Sequence, residues 1–183
     1  HLSPEFVQRV RNIRVGNGFG MTVRCAAEEL PDYPGAPSGG QPHESHHGLQ
    51  MLCPSVNYLR DAFADYSRGM PARDPAIIAM TFSAIDPVVA PPGKHTVFIW
   101  AQYFPYDLAG GQQWDDVREQ VADSILEVLY RYAPNMRGKI IDRFIQSPLD
   151  IERRLGLPRG NVMHVEMSFD QMFFFRPLPE LDE

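Results

Sequence analysis

Residues 16–20, Gly16-Asn17-Gly18-Phe19-Gly20, are the first place in this sequence to look for chemistry. A dinucleotide fingerprint G-x-G-x-x-G would place glycine at position 21, where Met21 stands, and would open a helix toward a pyrophosphate. The following residues alternate instead, Met21, Val23 and Cys25 against Thr22, Arg24 and Ala26, so the stretch reads as a glycine turn entering a strand. His43, His46 and His47 offer nitrogen donors, but no Cys or carboxylate stands at zinc-like spacing from them, and a mobile surface loop is the plainer reading. Asp142, Asp150 and Asp170 are carboxylates that a sequence alone cannot bring together. His164 lies on an alternating stretch and reads as a packed or hydrogen-bonded residue rather than a base. No G-x-S-x-G, P-loop, H-E-x-x-H or paired-Cys motif is present.

The elements that would position these residues can be read from periodicity. Ser3-Pro4-Glu5 caps a short helix carrying Phe6, Val7 and Val10. A strand from about Met21 follows. Residues 31–48 hold four prolines and four glycines and form a loop. A short apolar segment, 49–53, precedes a helix opened by Pro54-Ser55, with Tyr58, Leu59, Ala62, Phe63 and Tyr66 on one face and Gly69 as its stop. The apolar run 76–82 and the β-branched, aromatic run 95–104 read as buried strands, and the proline-rich turn between them makes them an antiparallel pair. Residues 114–132 form the strongest helix, with Val117, Val121, Ile125, Val128, Leu129 and Tyr132 in one stripe and Asp115, Asp116 and Glu119 at the start, where the helix dipole favours anions. A strand at 140–145 and a short helix at 149–155 complete the series. The sum is an α+β fold, a mixed and largely antiparallel sheet covered by helices.

The C-terminal stretch 160–177 has three Met and four Phe in eighteen residues. Val162, His164, Glu166 and Ser168 alternate against Met163, Val165, Met167 and Phe169 before the run Met172-Phe173-Phe174-Phe175. This pattern predicts a strand in the middle of the sheet, closed by Arg176-Pro177. Asp170-Gln171 interrupts it and either forms a bulge or points polar groups into a pocket. The aromatic segments 98–106 and 167–175 read as core or as the wall of an apolar tunnel. A buried strand so near the end, and a start at His1 without Met, suggest a piece of a longer chain.

Size and charge bound the function. A chain of 183 residues supports one well-cored domain, and 44% apolar residues argue against disorder. A net charge of −6 with scattered arginines argues against nucleic-acid binding. No apolar run reaches the roughly 18 residues of a membrane helix. The two cysteines, Cys25 and Cys53, read as buried free thiols in a reducing, cytoplasmic setting.

Taken in order, DPVVAPPGKHTVFIWAQYFPYDL, the helix beginning at Trp114, APNMRGKI, QSPLDIERRLGLPRG and HVEMSFDQMFFFRPLPEL resemble the later half of the phytoene desaturase-like FAD-dependent oxidoreductases. The resemblance is strongest over 74–181 and rests on collinear segments rather than one diagnostic motif. It implies that residues 1–183 are a single substrate-binding domain fragment, inserted in a Rossmann-like FAD domain that this chain lacks. It implies FAD in the full-length protein and none held by this fragment, since no position matches the family's glycine-rich cofactor segments. The implied reaction moves a hydride from an apolar substrate to the flavin. Tyr103, Gln171 and Arg176 are then the candidate substrate-pocket or cofactor-edge residues, each with a structural role as its alternative. The expected partners are the FAD-binding remainder of the same polypeptide and an apolar small molecule. Self-association through an uncovered docking face, or loose order at 31–48 and at both termini, is expected of the fragment alone. Peripheral contact of the parent protein with a membrane stays open. Two readings of other classes compete: a self-contained binding module for apolar small molecules, and an interaction domain without a redox role.

Overall fold

The computed structural model describes residues 2–175. Its centre is the pair anticipated from the two apolar runs, Ala76–Met80 (β3) and His95–Phe104 (β4), which run antiparallel with Ile77 opposite Ala101 and Ala79 opposite Ile99. The strand entered by the glycine turn, Phe19–Ala27 (β1), lies on the other side of β4. Gln50–Leu52 (β2) adds to β3, and Ile140–Gln146 (β5) adds to β1. The sheet order is β2-β3-β4-β1-β5, with every pairing antiparallel.

Side chains alternate across such a sheet, so each strand offers two faces. One face carries Met21, Val23, Cys25 and Ala27 from β1, Val97, Ile99 and Ala101 from β4, and Ile77 from β3. Against it lies the 19-residue helix Trp114–Tyr132 (α3), which buries Ala122, Ile125, Leu126, Val128 and Leu129. Each fully buried aliphatic side chain here contributes about 1.5–3 kcal/mol of transfer free energy. This single layer of helix on sheet is the core.

Shorter helices tie the ends. Pro4–Arg11 (α1) is capped by the Ser3 hydroxyl, which accepts from the Phe6 N–H at 3.1 Å. In Val56–Ser67 (α2) Ser55 does the same for Tyr58. Pro148–Leu155 (α4) starts with a reciprocal capping box between Ser147 and Asp150 and ends on Gly156 in the left-handed region.

The C-terminal stretch departs from the expected strand. Residues 161–175 run as turns, with single 3-10 turns at Phe169–Gln171 and Phe173–Phe175. His164 and Phe173 have φ of 70° and 52°, which no strand accommodates. Instead of a ladder, this stretch uses Arg14 as its anchor: the Glu166 N–H donates to the Arg14 carbonyl at 2.9 Å. Phe169 and Phe174 are 87% and 86% exposed, so the apolar run is surface rather than core. Arg176 and Pro177, which were to close the strand, lie outside the described residues.

The loop 31–48 is also firmer than its composition suggests. His46 is buried, with its Nε2 2.7 Å from the Pro31 carbonyl, and its own carbonyl accepts from the Thr81 hydroxyl at 2.9 Å. Among the described residues, no three His, Cys, Asp or Glu side chains converge as a metal would require. Cys25 is buried and its thiol is pushed up to about 12 by desolvation, while Cys53 is only half-buried.

Candidate functional site: the open sheet face

The sheet face opposite α3 is where the fold leaves apolar surface available. The registers align two rows across the strands. Met51, Ile78, Trp100, Thr22 and Gln146 form one, and Met80, Phe98, Arg24 and Phe144 form the next. These are the alternate positions of strands whose other residues make the core. Strands that are apolar on both faces normally have a second layer against them. Here Met51 and Phe82 stay exposed, as do Val89 and Phe144.

Gly20 shapes this face by lacking a side chain. A Cβ at that position would run into the Trp100 ring and sit 2.8 Å from the Ala101 carbonyl oxygen, so the indole lies across the glycine. Phe19 stacks on Trp100 at 6.2 Å between centroids and meets Tyr103 edge-on at 5.8 Å. Tyr103 in turn touches Phe63 at 5.3 Å and Tyr66 at 5.8 Å, both from α2. The result is an aromatic belt from the open face to α2, with ring separations in the favourable range. Farther along, Phe82 packs near Phe98 at 6.3 Å. Here a groove of about 550 Å³ opens between Arg24, Phe82, Val89, Phe98, Asp142 and Phe144. Such a volume suits a small-molecule ligand.

Of the residues singled out from the sequence, Tyr103 stands in this belt. Gln171 is buried, but its amide clamps the chain: Oε1 accepts from the Arg14 N–H at 2.8 Å, and Nε2 donates to the Arg14 carbonyl at 2.9 Å. Around it, the Arg14 guanidinium donates to Glu166, Ser168 and Asp170. The Ser168 hydroxyl and Arg14 hold the Asp170 carboxyl below its usual range. Arg176 falls outside the described residues. Trp100, Phe98, Arg24 and Phe144 were not singled out. For Phe98 and Trp100 the signal was the even-numbered register of 95–104, where aromatic side chains fall on the face opposite Val97 and Ile99; Arg24 and Phe144 join them only through the pairing of β1 with β4 and β5.

The described residues do not fit the pyrophosphate of a flavin dinucleotide. The glycine turn that would cradle it is filled by the chain itself, since a Cβ on Gly18 would lie 2.7 Å from the Phe104 oxygen and the Tyr106 nitrogen. The turn enters β1 rather than a helix. The helices α1, α2 and α4 have side-chain caps, and α3 opens with Asp115 and Asp116, which repel an anion. Among the described residues, no helix is long and apolar enough to cross a membrane.

No protein-family model matches the chain. Individual proteins do. Pyridine nucleotide-disulfide oxidoreductase domain-containing protein 2 of Rattus norvegicus is 38% identical over 183 residues, covering 98% of this chain and 31% of that protein. The protein of the same name in Mus musculus is 37% identical with the same coverage. A phytoene desaturase (neurosporene-forming) of Cereibacter sphaeroides is 27% identical over 139 residues, or 76% of this chain and 26% of that protein. The chain spans about a third of the length of the first two relatives. It is therefore a homologue of one segment of pyridine nucleotide-disulfide oxidoreductase domain-containing protein 2 and, more distantly, of the phytoene desaturases.

Proposed function

We propose that this chain is the substrate-binding portion of an FAD-dependent, phytoene dehydrogenase-like oxidoreductase, with the flavin held by the remainder of the same polypeptide. The observation that carries this is the open sheet face, two cross-strand rows rich in apolar and aromatic side chains on which Met51 and Phe144, with neighbouring Phe82 and Val89, stay exposed among the described residues. In the whole enzyme the flavin accepts the hydride; this portion binds the apolar substrate, orients it and keeps water away. Trp100, Phe98 and Tyr103 supply flat contact area with few rotatable bonds. Gln171 acts on the site from outside, by fixing the turn around Arg14. The cytoplasmic setting and the parent protein's contact with a membrane, from which an apolar substrate would be drawn, belong to the same proposal.

The full-length protein tests it. Purified enzyme is expected to show flavin absorption bands, and an apolar polyene added without oxygen is expected to bleach them. Phe98→Ala should raise the polyene concentration required by about 10-fold or more, in proportion to the apolar area lost, with the flavin bands intact. A full-length protein without flavin, or a variant with unchanged polyene dependence, would overturn the reading.

A further inference from the structure

The groove contains a charge that an apolar substrate does not explain. Arg24 projects from the centre of β1 onto the open face, its guanidinium carbon 5.2 Å from the Phe98 ring centre and 5.7 Å from that of Phe144. Arg154, from the last turn of α4, stands 4.7 Å from the centre of the same Phe144 ring. Neither guanidinium meets a carboxylate among the described residues, although most arginines of this chain do. Arg143, beside the groove, is taken by Glu119 and Asp123 on α3. Among the described residues, Asp142 at the rim accepts only from the neighbouring Arg143 N–H at 2.8 Å. The Thr96 hydroxyl, in the groove lining, is buried without a partner among the described residues.

Aromatic rings that flank a guanidinium hold it through its faces and leave its N–H edge free. That edge matches a carboxylate, which two parallel hydrogen bonds can grip. Asp142 at the rim and the two carboxylates on Arg143 offset most of the positive charge around the groove, so the free guanidinium edges of Arg24 and Arg154 offer hydrogen bonds to an anion without a large surplus of charge. A monoanion suits such a setting better than a phosphate dianion.

We propose that this groove takes a long-chain carboxylate, its head on Arg24 with Arg154 alongside and its chain over Phe82, Val89 and Phe98. This rests on the reading of the open face as a substrate wall and narrows the substrate class from neutral hydrocarbons to amphipathic anions. Arg24 is a binding and specificity residue: it fixes which end of the chain lies at β5.

Parinaric acid, a polyene carboxylate that fluoresces when it leaves water, and its methyl ester separate the possibilities in the full-length protein. The acid is expected to bind about 10- to 100-fold more tightly than the ester, as a charge-assisted hydrogen-bonded pair would give. Arg24→Leu should remove most of that preference and leave ester binding within about 3-fold, which also reports an intact groove. Arg154→Leu should remove a smaller part. Equal binding of acid and ester by the unaltered protein, or an Arg24→Leu variant that keeps the preference, would overturn the carboxylate site and leave the apolar wall standing. If neither probe binds, both readings fall.

Discussion

Gly20 shows how one missing side chain sets the geometry of a surface. The Trp100 indole occupies the space above it, and that indole carries the belt to Phe19 and Tyr103. Gly20→Ala forces the ring and the Ala101 backbone apart, an overpacking change expected to cost about 1–3 kcal/mol. Urea unfolding would measure the loss, and the emission of Trp100 should shift as its ring moves; an unaltered spectrum with unaltered stability would contradict this packing. The glycine turn itself was legible, because the alternation after Met21 excluded a helix. What Gly20 accommodates was not, since the contact joins residues from different strands. His46 illustrates the same limit: a histidine in a proline-rich loop gave no sign that Pro31 and Thr81 would enclose it.

Elements were legible where one pattern ran long enough. β3, β4 and α3 announce themselves through continuous apolar runs or a helical stripe, and all three lie near their expected positions. Residues 160–177 mimic a strand in alternation and in phenylalanine content, yet over the described part, 161–175, Arg14 competes for the backbone and three-residue turns win. The burial of polar groups at element ends was equally invisible. Asp65 on α2 is buried to 4% side-chain exposure and accepts from Arg73 Nε at 3.0 Å, tying the helix to the approach to β3. Burial alone would raise the Asp65 carboxyl, but the hydrogen bonds and charge of Arg73, with Arg68, outweigh it and hold it below its ordinary value. A carboxyl depressed in the folded state stabilises at neutral pH, above its unfolded value, and loses that contribution as pH falls through its folded value. Urea midpoints of the native protein and Asp65→Asn should therefore differ at neutral pH and converge in acid. A constant difference would assign the effect to packing instead.

For the molecule as a whole, the layered α+β class followed from composition and periodicity, while the bare face did not. Only the cross-strand registers show that Met51, Trp100, Phe98 and Phe144 lie side by side. Met51 and Phe144 on this face are exposed, as are Phe169 and Phe174 in the C-terminal turns, and exposed apolar surface tends to find a partner. Residues 1–183 alone are expected to self-associate as concentration rises in a sedimentation experiment. A monomer at every concentration would count against a face built to be covered.

The placement of β1 also bears on how this polypeptide emerges from the ribosome. It precedes the other four strands of this sheet in sequence, yet it lies between β4 and β5, with Val23 facing Ile99 on one side and Ile145 on the other. Its backbone amides and carbonyls cannot be satisfied by the sheet until residues far downstream have been translated, and such long-range closures are slow. During that delay Met21, Val23 and Cys25 are a sticky ribbon suited to a holding chaperone, and a message cut short before β5 would yield a product bound for aggregation and proteolysis.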